Sequence, residues 1–174
     1  MNRAVFIDRD GVINRAVVRA GKPYPPNSLE EFELLPGVPE AVRSLRDAGY
    51  RVIVATNQPD VGAGRQTQQE VERIHAHLRD VLQVDDIKVC YHTDADACAC
   101  RKPKPGMLLD AARDWQIDLG ASVMVGDRWR DVDAGKAAGC RTVLVESGYD
   151  ERAAEGYDAA VDSLLGASRW ILNR

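Results

Sequence analysis

Nothing in the 174-residue chain approaches the roughly 20 consecutive apolar residues that a membrane-spanning helix needs, so no membrane partner is expected. Aromatic residues are scarce at 6%, and the net charge of −4 comes with no block of lysines or arginines. The chain therefore lacks the basic face and interleaved aromatic platforms that grip nucleic acid. A strand pattern starts at Ala4 and leaves no room for a signal peptide, which points to the cytoplasm. Cysteine is also sparse. Of the four in the chain, three fall in one cluster, and in a reducing compartment such a cluster points to metal rather than to disulfides. No internal repeat, linker or low-complexity stretch interrupts the sequence. What is present is ordinary for a globular chain, 45% apolar and 29% charged. One domain over residues 1–174 is expected, as a monomer, large enough to bury a core with any metal optional for folding.

The chain is organised around Ala4-Val5-Phe6-Ile7-Asp8-Arg9-Asp10-Gly11-Val12. Four apolar residues running straight into Asp-x-Asp-Gly read as a buried parallel strand that ends in two carboxylates. Open α/β sheets place their chemistry at the carboxyl ends of such strands. Asp8 and Asp10 project to the same side of an extended backbone. Together they suit a hard cation, with one carboxylate free to attack and one to carry a proton. Taken alone, the pair could equally cap a turn.

Further apolar runs follow at Arg51–Ala55, Ile87–Val89, Ser122–Val125 and Arg141–Val145, with Ala160-Val161 as an edge strand. Helical spacing appears from Val38 to Ala48, from Thr67 (with Glu70, a capping box) to Leu82, from Gly106 to Trp115, from Asp131 to Ala138, and from Leu164 to Leu172. Alternating strands and helices predict an α/β fold, a doubly wound, mostly parallel sheet with helices on both faces. The stretch after Asp10, with Gly21-Lys22-Pro23-Tyr24-Pro25-Pro26, shows no clear period and reads as a flap over the site. Asp60 to Gln66 reads as a glycine-containing loop.

Four strand ends carry polar groups: Asp8 with Asp10, Thr56-Asn57-Gln58, the Cys-rich loop leading to Arg101-Lys102, and Asp127 with Arg128 and Asp131. In a parallel sheet they converge on one edge. A hydroxyl, a lysine and several carboxylates around one point suit phosphoryl transfer: oxygen ligands for Mg²⁺, positive charge for phosphoryl oxygens, and a nucleophile in line.

In this order the motifs resemble those of the haloacid dehalogenase-like superfamily of aspartate-nucleophile phosphatases. The matching segments are Asp8-Arg9-Asp10-Gly11-Val12, Thr56, Lys102 and Gly126-Asp127-Arg128-Trp129-Arg130-Asp131, and the likeness runs from Ala4 to Val145. Val12 departs from the threonine most common there. The resemblance implies a Rossmann-like fold in which Asp8 is the nucleophile and Asp10 the general acid and base. Thr56 and Lys102 would hold the phosphoryl oxygens. The Asp8 carboxylate, the Asp10 main-chain carbonyl and Asp127 would ligate Mg²⁺, with Asp131 outside the ion's ligand shell. Lys104 competes with Lys102 for its role, and the Lys-Pro-x-Pro pattern favours Lys102.

Cys90-Tyr91-His92 followed by Cys98-Ala99-Cys100 supplies three thiols and an imidazole at spacings that let one loop wrap a tetrahedral Zn²⁺. With no open ligand position, such an ion is structural. It would stiffen the loop immediately before Arg101 and Lys102. Asp94 and Asp96 read as solvated. This zinc-looped pattern, with Cys100 to Met107, resembles a narrower group without a large cap domain: the D-glycero-D-manno-heptose 1,7-bisphosphate phosphatases and histidinol-phosphate phosphatases. That likeness implies that Arg101, Asn57, Gln58 and Arg128 contact a small phosphate ester. Two departures bear on the substrate. Pro59 to Arg65 differs from the group's Ser-Gly-x-Ala-Arg-Gly, and the flap between Asn14 and Ser28 is longer and richer in proline.

Arg101, Arg128 and Arg130, joined by Arg19 or Lys22, would form a second anion site and favour release of the C7 phosphate of the heptose bisphosphate. Histidinol phosphate would call instead on carboxylates such as Glu30, Glu31 and Glu33. A phospho-accepting receiver domain shares the sheet and the acceptor aspartate, but Asp10 would hasten loss of the phosphate that a switch must keep. His75 and His77 face different sides of one helix, Cys140 reads as a buried small hydrophobe, Trp129 as a packing residue, and Trp170 to Leu172 as docking the last helix.

Overall fold

A computed structural model describes residues 1–174. Its strands are β1 (Arg3–Ile7), β2 (Val17–Arg19), β3 (Lys22–Tyr24), β4 (Tyr50–Asn57), β5 (Asp86–Cys90), β6 (Val123–Gly126), β7 (Arg141–Val145) and β8 (Ala159–Val161). Its helices are α1 (Val38–Asp47), α2 (Pro59–Gly62), α3 (Gln68–Leu82), α4 (Gly106–Trp115), α5 (Trp129–Ala138) and α6 (Leu164–Leu172). Six strands form one sheet in the order β5-β4-β1-β6-β7-β8, and every pairing in it is parallel.

β1 is central because its side chains feed both faces. Val5 and Ile7 pack with α1 and α6 residues such as Leu45 and Leu164, while Ala4 and Phe6 pack with Met107 and Leu108 of α4. A strand with both faces covered has no polar alternation, which is why it appears in sequence as an unbroken apolar run. The chain lays down β4 and β5 on one side of β1, then returns to lay β6, β7 and β8 on the other. The crevice where the order reverses is the usual ligand position in such sheets. No helix is long and apolar enough to cross a membrane.

The flap is more regular than its sequence suggests. β2 and β3 form an antiparallel hairpin, Val17 opposite Tyr24 and Arg19 opposite Lys22. It is closed by Ala20 and Gly21 at φ of 49° and 74°, the positive values a two-residue hairpin turn needs. Three-residue strands, one of them holding Pro23, are too short to show alternation. A 3₁₀ turn, Leu29–Glu31, follows. The Thr67 hydroxyl does accept from the Glu70 amide at 3.2 Å, but the Glu70 carboxylate does not close a capping box. It accepts instead from the Leu29 amide at 2.7 Å, tying the flap's base to α3. Pro59–Gly62 forms one helical turn inside the expected glycine loop, and α5 begins at Trp129, ahead of Asp131. In α6, Ile171 is buried while Leu172 is exposed.

Candidate active site

The carboxyl ends of β1, β4 and β6 and the loop before α4 meet around a cavity of about 170 Å³ lined by Asp8, Asp10, Asn57, Lys102 and Asp131, with Pro23 and Tyr24 of the flap above. A larger depression of about 720 Å³ lies at the opposite, amino-terminal edge of the sheet, among Arg43, Arg46 and Arg51. It is remote from these groups.

At the centre the Lys102 ammonium donates to Asp8 Oδ1 at 2.8 Å, to Asp131 Oδ1 at 2.6 Å and to the Ala55 carbonyl at 2.7 Å. Burial alone would lower the lysine's pKa, but the Asp131 and Asp8 charges outweigh it and the net shift is upward. Burial, followed by repulsion from Asp131, lifts Asp8 to about 6 in spite of Lys102. The Lys102 backbone is clamped by Asn57, whose Oδ1 accepts from the Lys102 amide at 3.0 Å and whose Nδ2 donates to its carbonyl at 3.1 Å.

Asp8, Asp127 and Asp131 are all buried and present carboxylate oxygens within 4.8 Å of one another. The Asp10 side chain stands outside this group. Asp131 is committed on both oxygens, to Lys102 and, through Oδ2, to the Arg128 amide at 3.0 Å. Asp127 is not: Oδ2 accepts from the Tyr149 hydroxyl at 2.6 Å, while the buried Oδ1 has no partner. Burial, reinforced by Asp8 and Asp131, drives the Asp127 pKa well above the carboxylate range. Three crowded carboxylates with a single ammonium among them, and one orphaned oxygen, fit a hard divalent cation held by oxygen ligands.

Asp10 is held from behind. Both its oxygens accept from Arg9 Nη2, at 3.0 and 3.2 Å, with Asn14 Nδ2 on Oδ1 and Gln58 Nε2 on Oδ2 at 2.9 and 2.8 Å. Arg9 is fully buried, and its Nη1 meets His75 Nε2 at 2.9 Å. Burial and then the Arg9 charge lower His75 to about 3, so the ring is a neutral acceptor. Gln58, expected to meet substrate, is completely buried. It lies beneath the cavity and joins Asp10 to the Thr56 hydroxyl, to which its Nε2 donates at 3.0 Å. Thr56 is buried as well.

The mouth is cationic, with Arg65, Arg101, Arg128 and Arg130 on the cavity wall. Each is paired with a carboxylate: Arg65 with Asp60, Arg128 with Glu151, and both Arg101 and Arg130 with Asp94. Asp94 is exposed, as expected, and also serves both as a shared counter-ion. Asp96 accepts from the Thr93 amide and hydroxyl. Arg101 keeps one buried nitrogen, Nη1, without a partner. Arg19 and Lys22 sit in the hairpin and do not line the cavity. Lys104 is exposed and donates to the Cys98 carbonyl at 2.8 Å, which braces the cysteine loop. Trp129 packs between the Arg130 and Arg152 guanidiniums, 4.8 and 4.5 Å from its ring centre. His77 meets Phe32 edge-on, and Cys140 is buried.

Cys90, His92, Cys98 and Cys100 form a second group of potential ligands. The three sulfurs lie 3.0 to 3.7 Å apart, and His92 Nδ1 lies 3.5 and 3.3 Å from Cys90 and Cys100. Zn–S bonds of about 2.3 Å in a tetrahedron place sulfurs about 3.8 Å apart. The sulfur separations here fall at or below that value.

Sequence reasoning missed Arg9, Asn14, Tyr149 and Glu151 as parts of the site. Arg9 at least lies between the two motif acids. Tyr149 and Glu151 lie beyond β7 with no motif to mark them.

A buried lysine bridging two aspartates, beside crowded carboxylates at the sheet's switch point, is an arrangement that suits phosphoryl transfer. The haloacid dehalogenase (HAD) hydrolase-like family model matches residues 99–167. The chain is 35% identical to D-glycero-D-manno-heptose-1,7-bisphosphate 7-phosphatase of Thermosynechococcus vestitus over 97% of this chain and 94% of that protein. It is 39% identical to the D-glycero-beta-D-manno-heptose-1,7-bisphosphate 7-phosphatase of Pseudomonas putida, over 88% and 87%. D,D-heptose 1,7-bisphosphate phosphatase from B. bronchiseptica, solved with magnesium and phosphate, superposes with a TM-score of 0.85 at 32% identity over 98% of each chain. A putative HAD-like phosphatase from Mesorhizobium loti gives 0.76 at 30% identity, over 98% and 87%. The chain belongs to the haloacid dehalogenase-like hydrolase family and is one of its phosphatases.

Proposed function

We propose that this phosphatase removes the C7 phosphate of D-glycero-D-manno-heptose 1,7-bisphosphate, acting as one catalytic domain through an aspartyl-phosphate on Asp8. The observation that carries it is the Lys102 ammonium bridging Asp8 and Asp131 beside the free oxygen of Asp127. Lys102 fixes Oδ1 of Asp8, leaving the second oxygen clear of it to attack phosphorus as the bond to the sugar oxygen breaks. Asp10, at the cavity wall, gives a proton to the departing oxygen. It then takes one from the water that cleaves the aspartyl-phosphate, which returns Asp8 as a carboxylate and releases phosphate. Arg9, Asn14 and Gln58 hold Asp10 in place for both transfers, and Thr56 and Lys102 take the phosphoryl oxygens. Mg²⁺, bound by Asp8, the Asp10 carbonyl and Asp127, would supply charge neutralisation at the phosphoryl group.

The four arginines at the mouth support a substrate with a second phosphate, which would compete with the carboxylates now on Arg101, Arg128 and Arg130. Glu30, Glu31 and Glu33, which histidinol phosphate would require, do not line the cavity. Glu30 pairs with Arg73 and Glu33 with Arg15, and Glu31 accepts from the Asn27 amide. Asp60 lines the cavity but is paired with Arg65. Cys90, His92, Cys98 and Cys100 would hold a structural Zn²⁺, which requires a reducing compartment such as the cytoplasm. The enzyme would act as a monomer.

The test is phosphate release from the heptose bisphosphate, the corresponding monophosphate and histidinol phosphate, with and without Mg²⁺, for wild type and Asp8→Asn. Fast, Mg²⁺-dependent turnover of the bisphosphate alone is expected, with Asp8→Asn inactive. Preference for histidinol phosphate would overturn the substrate, and an active Asp8→Asn would overturn the mechanism.

A further inference from the structure

We propose that Tyr149 is a positioning residue for the catalytic cation: its hydroxyl ties down one oxygen of Asp127 and so turns the other toward the metal. The inference rests on the Mg²⁺ site proposed above. Tyr149 lies outside every motif, in the segment after β7. Its hydroxyl donates to Asp127 Oδ2 at 2.6 Å, and Oδ1 of the same carboxylate is buried without a partner. A carboxylate with one oxygen committed and one bare, within 4.8 Å of the Asp8 carboxylate, is aimed rather than merely present. Ligating carboxylates are held in this way in metal sites generally, and the groups that hold them tune affinity.

Three further contacts keep the tyrosine from swinging away. On one side of it, the Ser147 hydroxyl donates to the Asp127 carbonyl at 3.1 Å. Next to it, the Asp150 amide donates to the Gly21 carbonyl at 2.9 Å, which pins the segment to the flap's turn. Beyond that, Glu151 is ion-paired with Arg128, the residue after Asp127. Gly11, at φ +88°, completes the fit, because a Cβ there would collide with Asp127 Oδ2 and come within 2.6 Å of the Tyr149 hydroxyl. The first motif's glycine therefore leaves room for this pair of side chains.

The experiment is Mn²⁺ binding to the zinc-loaded protein without substrate, read from the loss of the free-ion EPR signal, for wild type, Tyr149→Phe and Ser147→Ala. The Mg²⁺ concentration giving half-maximal turnover is measured alongside. Tyr149→Phe removes a single oxygen and should weaken Mn²⁺ binding about tenfold. It should raise the half-saturating Mg²⁺ to match. Ser147→Ala, which frees the same aspartate from its main-chain side, should weaken binding less, and it provides the answer if Tyr149→Phe folds poorly. Wild-type affinity in both variants would overturn the role of Tyr149. Failure of wild type itself to bind Mn²⁺ would instead overturn the cation site.

Discussion

Replacing His75 with glutamine should flatten the acid limb of the enzyme's stability curve. His75 is 2% exposed, and its Nε2 accepts from the buried Arg9 at 2.9 Å. Burial first, and the guanidinium second, bring its pKa from 6.5 to about 3. A histidine kept neutral in the fold stabilises in full above the unfolded pKa. As pH falls below 6.5 the unfolded chain takes up a proton the native state refuses, and the contribution is lost progressively toward pH 3. Each unit in that window removes about 1.4 kcal/mol, so lowering the pH to 5 costs about 2 kcal/mol. That is a substantial share of the 5–15 kcal/mol of a typical domain. Glutamine can still accept from Arg9 through its side-chain oxygen but does not titrate. Other carboxylates and thiols titrate in both proteins and cancel in the difference. Urea unfolding at steps from pH 8 to pH 5, with zinc in excess, should show wild type more stable at pH 8. The gap should shrink by about 2 kcal/mol by pH 5. If the two curves run parallel, His75 protonates in the fold at an ordinary pH and the reasoning fails.

Lys102→Met would leave Asp8 and Asp131 facing each other without the ammonium that separates them. Turnover should fall at least about 100-fold, as when one transition-state donor is removed, and a loss under tenfold in steady-state phosphate release would contradict its bridging role. Purified protein should carry one zinc per chain by metal analysis. Removing it by chelation, or changing Cys100 to Ser, should raise KM for the phosphate ester more than it lowers kcat, because Arg101 and Lys102 follow the last ligand directly. The far-UV circular dichroism should largely survive, since the larger core cluster contains no residue of the loop.

The features visible in sequence share a cause: they are local. β1 and β6 are buried on both faces, so burial itself erases alternation and leaves apolar runs that can be read directly. Once parallel strands are recognised, the groups at their carboxyl ends must converge, and this brought Asp8, Lys102, Asn57 and Asp127 together without coordinates. The cysteine cluster was legible because its three thiols and imidazole lie within eleven positions of one another, Cys90 to Cys100. The hairpin of the flap was not, since strands as short as Val17–Arg19 and Lys22–Tyr24 carry no period. Gln58 was misplaced for a related reason. The resemblance implied a substrate contact, but only the packing of β4 against β1 shows that it lies under Asp10.

By itself the sequence determined the sheet, the polar strand ends that meet at one edge, the loop that gathers three thiols and an imidazole, and the class of reaction. These follow from residue type and spacing along short stretches of backbone. Only the tertiary structure decided which carboxylate is left free. Asp131 is engaged by Lys102 and by the Arg128 amide, and Asp127 is aimed by a tyrosine 22 residues further on. Which oxygen a buried proton donor reaches depends on distances across the fold, and no local pattern of residues records them.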